Sequence, residues 1–376
     1  MRILFVQYTS DWTGPSKSLA LLARGLVGKH ELLAALPGRG ELGERLAEYG
    51  VDVFEFPSIT KWQLPHLARL VRREGVDLVY ANDTNSTSRI AAIAARLGGA
   101  GFLCHVRSMG WGKSRLRMLY LWSADAVIAV SRACAESVER FVRRRRLHVV
   151  YNGVPDEELG PATEDDRRYL RHQIGASDDA VVVMSLAHLC ERKGQLHAVR
   201  ALEELRAGGR AVDLCLVGSC DREPGYVQRI RDQVRQVGLG GRVHLLGFRA
   251  DAARLVRGAD LFVHTALADP HPRAVVEAMA AARPVVAFAV DGVSETVLDG
   301  RTGRLVRAKD HGALAAAIRE LLDEPERARN MGDAGRRRVV STFTEGAATE
   351  GVLEVLDGLA SARTRNRHDP LAGSRT

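Results

Sequence analysis

Two clusters in the second half of the chain carry residue types able to handle a charged, hydroxyl-rich ligand. The first is Glu191-Arg192-Lys193-Gly194, which follows an apolar run ending near Ala187 and precedes a stretch with helical spacing, Gln195–Arg206. A strand-to-helix turn in an open parallel sheet lies at the carboxyl end of the strands, where ligands bind, and two adjacent cations there can clamp a diphosphate. Taken alone, this tetrapeptide reads better as solvated cations capping a loop. The second cluster is Asp269-Pro270-His271-Pro272-Arg273-Ala274-Val275-Val276-Glu277. Its prolines force a turn after the run Leu261–Thr265 and delay the next helix to about Arg273. The free amides at that helix start, around Arg273 and Ala274, attract phosphate or developing negative charge. Asp269 can grip sugar hydroxyls, and Glu277, on the first turn, can accept from a ribose diol or act simply as a partner of the helix dipole.

Elements able to position these residues recur along the whole chain. Short runs rich in Val, Ile and Leu at Ile3–Val6, Glu31–Leu36, Val51–Phe56, Asp77–Ala81, Gly101–Arg107, Ala126–Ser131 and His148–Tyr151 alternate with stretches of helical spacing. That alternation predicts a parallel sheet covered by helices on both faces. The segment 155–166, with two Pro, a Gly and six acids, lacks an apolar period and reads as a linker. A second series follows at Ala180–Ala187, Val212–Val217, Val243–Phe248, Leu261–Thr265 and Val285–Val290, and three helical stretches close the chain. The expected organisation is a first domain over 1–154, the linker 155–166, a second domain over 167–341, a last helix over 342–362 and a disordered tail over 363–376. In the first domain, the carboxyl-end rule makes Asn82 and Asp83 candidate acceptor contacts. Gly14 permits close backbone approach after the first strand, and Ser16 is placed to cap the helix behind it.

With 376 residues, 46% apolar and 27% charged, the chain has an ordinary globular composition, which excludes global disorder and fibrous repeats. The net charge of +8 rests on 54 Lys and Arg, of which only six are Lys. An Arg excess suits an acidic ligand, and biased base composition explains it equally well. Five Cys without CxxC spacing read as buried thiols of a reducing compartment. No apolar stretch approaches the roughly 20 residues a spanning helix needs, so a cytoplasmic protein is expected, with peripheral contact at the inner membrane surface left open. The basic-aromatic stretch Trp111–Trp122 and the run Arg143–Arg146 suit an anionic bilayer, or form an ordinary solvated face, which is the preferred reading. No nucleic-acid-binding module accompanies the charge.

The order and spacing of Arg192-Lys193-Gly194, Asp269 to Glu277 followed by Ala-Met-Ala, Pro284-Val285-Val286-Ala287, Gly292 to Glu295, and Thr302-Gly303 to Val306 closely resemble the retaining glycosyltransferase family 4. Asn152-Gly153-Val154 at the domain junction and Phe343-Thr344 before the last helix add to the match. The resemblance implies an α/β GT-B fold, two Rossmann-like domains facing each other across a cleft, with the last helix crossing back to the first domain. It implies a nucleotide-diphosphate sugar of UDP, GDP or ADP type held by the second domain, and a glycan, lipid-linked glycan or small aglycone as acceptor at the first. No cofactor and no metal are implied, and no DxD-type acidic pair or His/Cys cluster stands in the sequence. Arg192 and Lys193 match the diphosphate clamp, and Glu277 matches the second acid of the family's Glu-x7-Glu motif. Asp269 stands in place of the first Glu, one methylene shorter. His271 and Pro272 replace the usual Phe-Gly, and Pro272 lacks an amide hydrogen. Ala187-His188 replaces a Gly-Arg. Phe248 matches the loop that meets the nucleobase, Gly14 matches a Gly-rich loop near the donor phosphates, and His105 matches a His lining the reaction centre. The rival readings are a degenerate nucleotide-sugar binder without transferase activity and a nucleotide-sugar 2-epimerase, the latter disfavoured by the motif pattern.

Overall fold

A computed structural model of the chain describes residues 1–109, 118–221 and 223–368. They form two compact units, Met1–Gly153 with Glu345 onward, and Val154–Thr344.

The first unit holds a seven-stranded sheet of β1 (Arg2–Val6), β2 (Glu31–Pro37), β3 (Asp52–Phe56), β4 (Leu78–Ala81), β5 (Gly101–Val106), β6 (Ala126–Ala129) and β7 (Leu147–Val149). All neighbours are parallel, in the order β3-β2-β1-β4-β5-β6-β7. The central strands are continuous apolar runs because helices cover both of their faces. On one face, Gly14–Leu26 and the last helix, Glu345–His368, pack over Ile3, Phe5 and Ile128 through Leu19, Leu26, Val352 and Leu356. On the other, Leu64–Arg73 and Ser86–Gly98 pack through Leu67, Val71, Ile90 and Ala94. The edge strand β3, Asp-Val-Phe-Glu-Phe, is only partly buried and exposes its acids.

The last helix runs to His368 rather than ending at 362, so 363–368 belong to it and not to a disordered tail. Arg363 ties this extension down by donating to the carbonyl of Asp77, just ahead of β4, while 369–376 lie outside the described residues. The expected cap is also corrected. Thr13 occupies the N-cap position of Gly14–Leu26, whereas Ser16 lies inside the helix, fully buried, with its hydroxyl 2.9 Å from that of Thr13.

The second unit holds β8 (Val182–Leu186), β9 (Asp213–Val217), β10 (Val243–Gly247), β11 (Leu261–His264), β12 (Val285–Phe288) and β13 (Arg304–Val306), again all parallel, in the order β10-β9-β8-β11-β12-β13. The segment read as a linker is mostly structured. Asp156–Glu158 is a 3-10 turn, and a helix runs over Glu164–Ile174. Thr163 and Asp166 form a capping box, so the acids that broke the apolar period occupy a helix's first turn, where the dipole favours them. Asp166 is buried and also paired with Arg257. The chain passes between the units at Gly153–Val154 and Thr344–Glu345, and Val154 and Thr344 are themselves bridged.

Strand order reverses between β1 and β4 in one sheet and between β8 and β11 in the other. At such a reversal the connections leave in opposite directions and open a crevice at the carboxyl ends.

Candidate active site

In the second unit the crevice is bounded by the segments after β8 and β11. The β8 segment ends in a 3-10 turn, Glu191–Lys193, then Gly194, then the helix Gln195–Ala207. Gly194 is required twice over. Its φ is +65°, and a Cβ there would lie 2.2 Å from the carbonyl oxygen of Thr265. This close approach lets the two segments join directly. Leu267 N donates to the Arg192 carbonyl at 2.8 Å, Thr265 Oγ1 donates to the Lys193 carbonyl at 3.2 Å, and Arg192 Nη1 donates to the Ala268 carbonyl at 3.0 Å.

The consequence is a buried ion pair. Lys193 Nζ lies 2.5 Å from Asp269 Oδ2, and His264 Nε2, from the end of β11, reaches the same oxygen at 3.1 Å. The Asp269 amide in turn donates to Asp291 Oδ2 at 2.9 Å. Burial alone would raise the Asp269 carboxyl, but the Lys193 ammonium and the His264 hydrogen bond hold it well below the usual carboxylate range. Burial pushes His264 below its ordinary value despite the neighbouring Asp269, so the imidazole is neutral at neutral pH. Burial also pushes the Asp291 carboxyl up. Lys193 keeps two of its three N–H donors for a ligand.

The helix Arg273–Ala280 begins four residues after Asp269. The Pro272 carbonyl accepts from the amides of Val275 and Val276, at 3.0 and 3.1 Å. The first amides, Arg273 and Ala274, have no intrahelical acceptor. Arg273 and Glu277 pair along this helix at 3.6 Å. His271 is buried with its ring 5.5 Å from that of Phe343. Phe248, after the edge strand β10, is 66% exposed.

In the first unit, one side chain that the motif search passed over organises the crevice. Arg107, just beyond β5, donates to Asn82 Oδ1, to Asn152 Oδ1 at 2.5 Å and to His105 Nδ1 at 3.3 Å. Asn82 donates one amide hydrogen to the Pro15 carbonyl at 3.1 Å and is fully buried. It therefore ties the end of β4 to the start of the Gly14–Leu26 helix rather than offering itself to an acceptor. Asp83 adopts φ +147°, with one carboxylate oxygen accepting from Ser108 Oγ at 2.8 Å and the Thr84 amide at 2.7 Å. Beside Gly14 the space is open.

His105 is buried, with Nδ1 2.5 Å from the Tyr80 hydroxyl. Arg107 can only donate, so Nδ1 accepts and the proton resides on Nε2. Burial, then the Arg107 charge, push this imidazole far below its ordinary value and keep it neutral. Nε2 has no protein partner. His105 also lines a small pocket with Ser18, Leu22, Asn152 and Thr349. It is a neutral hydrogen-bond donor held in one tautomer.

His264, Asp291 and Arg107 were not among the candidate site residues, and Asn152 was noted only as part of the motif at the domain junction. For His264 a signal existed, a polar residue inside the otherwise apolar run 261–264. Of the basic-aromatic stretch, 111–117 lie outside the described residues; Leu119–Ser123 form a 3-10 helix on which Leu119 and Trp122 are 58% and 52% exposed.

Comparison with known proteins is consistent along the chain. The family described as "Glycosyl transferases group 1" matches residues 166–338, and "Glycosyltransferase Family 4" matches 12–158. A GDP-mannose-dependent alpha-(1-6)-phosphatidylinositol monomannoside mannosyltransferase of Mycolicibacterium smegmatis is 28% identical over 369 residues, covering 90% of this chain and 93% of its own. The crystal structure of Anabaena HepE with UDP and glucose superposes with a TM-score of 0.85 at 26% identity, over 95% of this chain and 99% of HepE. WaaG, a glycosyltransferase involved in lipopolysaccharide biosynthesis, shares the fold at 13% identity, with a TM-score of 0.72 over 93% of this chain and 98% of its own. Two Rossmann-like units with parallel sheets, a cationic turn at one strand-order reversal and family matches in both units agree: the chain belongs to glycosyltransferase family 4 and is a glycosyltransferase of the GT-B fold.

Proposed function

We propose that the enzyme moves a hexosyl group from a UDP- or GDP-linked sugar to a hydroxyl of a glycan or lipid-linked acceptor, with retention at the anomeric carbon and without a metal at the diphosphate. The observation that carries this reading is the cationic turn. Arg192 and Lys193 stand at the β8/β11 reversal, with Lys193 nearly buried and already oriented by Asp269. As the bond from the anomeric carbon to the diphosphate breaks, the electron pair leaves with the phosphate. Preorganised donors stabilise that charge without reorganising. The first amides of the helix Arg273–Ala280 add a partial positive charge. The acceptor oxygen forms the new bond and its proton passes to the leaving phosphate. Retention and same-face attack are what the family resemblance implies.

HepE has been solved with UDP-glucose, and the mycobacterial relative is named as GDP-mannose-dependent, which supports the two donor classes. The diphosphate charge is assigned to Arg192 and Lys193 because both cations stand on the turn after β8 at the strand-order reversal. Among the described residues no helix is long and apolar enough to cross a membrane. A lipid-linked acceptor would be met at the bilayer surface, where exposed Trp122, with Arg143 5.5 Å over its ring, suits anionic headgroups.

Replacing Lys193 by Ala is expected to lower kcat about 10²- to 10³-fold, the scale for losing one preorganised donor to a developing charge. Turnover measured with UDP- and GDP-hexoses, with and without EDTA, and NMR of the product anomer test the reading. Undiminished turnover by Lys193→Ala, or activity abolished by EDTA and restored by a divalent cation, overturns it.

A further inference from the structure

We propose that His264 is a positioning residue for the donor sugar: its hydrogen bond to Asp269 Oδ2 aims Asp269 Oδ1 at a sugar hydroxyl and so lets an Asp serve at this position. The inference rests on the transferase reading above and adds a residue to it.

The carboxylate has a short stem, and its loop leaves it little freedom. Arg192 and Lys193 hold residues 265–268 by three hydrogen bonds, and Asp291 holds the Asp269 amide. Rotation about the side chain remains to be fixed. Lys193 must also meet the ligand, so it cannot do this alone. His264 is rigid, 2% exposed, at the end of β11, with Nε2 3.1 Å from Oδ2. Because an ionised carboxylate only accepts, the proton of this contact resides on His264 Nε2. Two donors on Oδ2 leave Oδ1 to accept from a sugar hydroxyl. Asp269, Lys193 and Arg192 are the charged groups that act on His264, from two segments, the turn after β8 and the loop after β11. With both cations of the clamp near it, a protonated imidazole would be a third positive charge beside the same carboxylate, and burial disfavours it further. The contact is therefore a neutral donor on an anion, suited to orienting the acid without taking over its charge.

Its loss should be felt by the sugar and not by the diphosphate. For His264→Leu, kcat/KM with the nucleotide sugar is expected to fall roughly 10- to 100-fold, the scale of one hydrogen bond to a charged group. Affinity for free UDP or GDP, measured by calorimetry, should stay unchanged. His264→Gln, which retains an N–H donor, should recover most of the loss. Unaltered kcat/KM in His264→Leu, or equal loss in both variants together with weakened UDP or GDP binding, overturns the proposal. Histidine ¹⁵N NMR of the ligand-free wild type gives a readout that needs no turnover: the neutral Nε2–H tautomer is expected, and the Nδ1–H tautomer refutes the contact. Failure of the wild type to turn over any donor strikes the transferase reading, and the NMR result then decides the His264 contact.

Discussion

Replacing Gly194 by Ala tests whether the close approach of two loops builds the cationic turn. The left-handed conformation at φ +65° costs a residue with a Cβ about 1–2 kcal/mol. The new Cβ would also sit 2.2 Å from the Thr265 carbonyl oxygen, a backbone atom that cannot rotate aside. The segments must separate by about 1 Å, and forced overpacking of this kind costs typically about 1–3 kcal/mol. The two costs together come to about 2–5 kcal/mol, or a fall of about 4–20 °C in Tm for a domain of this size. Gly209 supplies the control. Its φ is +81° but a Cβ would meet nothing within 4 Å, so Gly209→Ala should show only the conformational cost. The displacement at Gly194 also shifts Lys193 and the Asp269 loop, and a misplacement of that size costs about 10²-fold in rate. Thermal unfolding and steady-state kinetics of both variants decide the matter. If Gly194→Ala melts with Gly209→Ala and keeps its kcat/KM, the close approach does not position the clamp.

Arg107→Ala should remove the link between Asn82, Asn152 and His105, lowering stability by about 1–3 kcal/mol for the buried partners left unsatisfied, with a marked loss of kcat; Arg107→Lys should recover little, since an ammonium cannot reproduce the guanidinium fork. Thermal melts and kinetics of the two variants check this. The pH dependence follows from His105 and His264, whose folded values lie below the ordinary 6.5. The unfolded chain then binds more protons as pH falls below 6.5, so their contribution to stability is full above that value and lost progressively beneath it. Tm should drop from pH 7 to pH 5, and His105→Gln should flatten the slope; an unaltered slope counts against a buried neutral imidazole. Arg171, fully buried, donates at 2.6 Å both to Asp260 Oδ2 and to the Ala180 carbonyl. Arg171→Met should cost about 1–3 kcal/mol in a denaturant titration by removing the donor to the Ala180 carbonyl and one of the two cations on Asp260, Arg167 remaining at 3.4 Å.

The strands were legible because a parallel strand covered on both faces must be largely apolar, and Val285–Phe288 or Ala126–Ala129 show that directly. The segment 155–166 was misread because acids break an apolar period equally well in a linker and in a capped first turn. Thr163 followed three residues later by Asp166 was the available signal for the helix. The last helix overran its expected end because Arg363 is held by the Asp77 carbonyl, a contact from 286 residues away. Of the candidate site, Arg192, Lys193, Asp269 and Glu277 stand out in the sequence only through the order and spacing of several motifs together. Arg107 does not, because its partners Asn82 and Asn152 lie 25 and 45 residues off and become neighbours only through the order of β4, β5 and β7.

The two units solve one mechanical problem in different ways. Where strand order reverses, the connections leave in opposite directions, so no backbone ladder ties the two loops that flank the crevice. Something else must fix their separation, since ligand groups are held at ångström tolerances. In the second unit the backbone does it. Gly194 lets the turn after β8 touch the chain after β11, and the Lys193–Asp269 pair crosses at that point. In the first unit side chains do it: Asn82, after β4, reaches the Pro15 carbonyl beyond β1, and Arg107 locks Asn82 from β5. A backbone contact resists ligand charge and admits almost no substitution, whereas a side-chain bridge can be re-formed with other residues. The second unit should therefore tolerate less change at Gly194 than the first unit tolerates at Asn82, and Asn82→Asp, which keeps the oxygen facing Arg107 but loses the donor to Pro15, is expected to retain more kcat/KM than Gly194→Ala in the same assay.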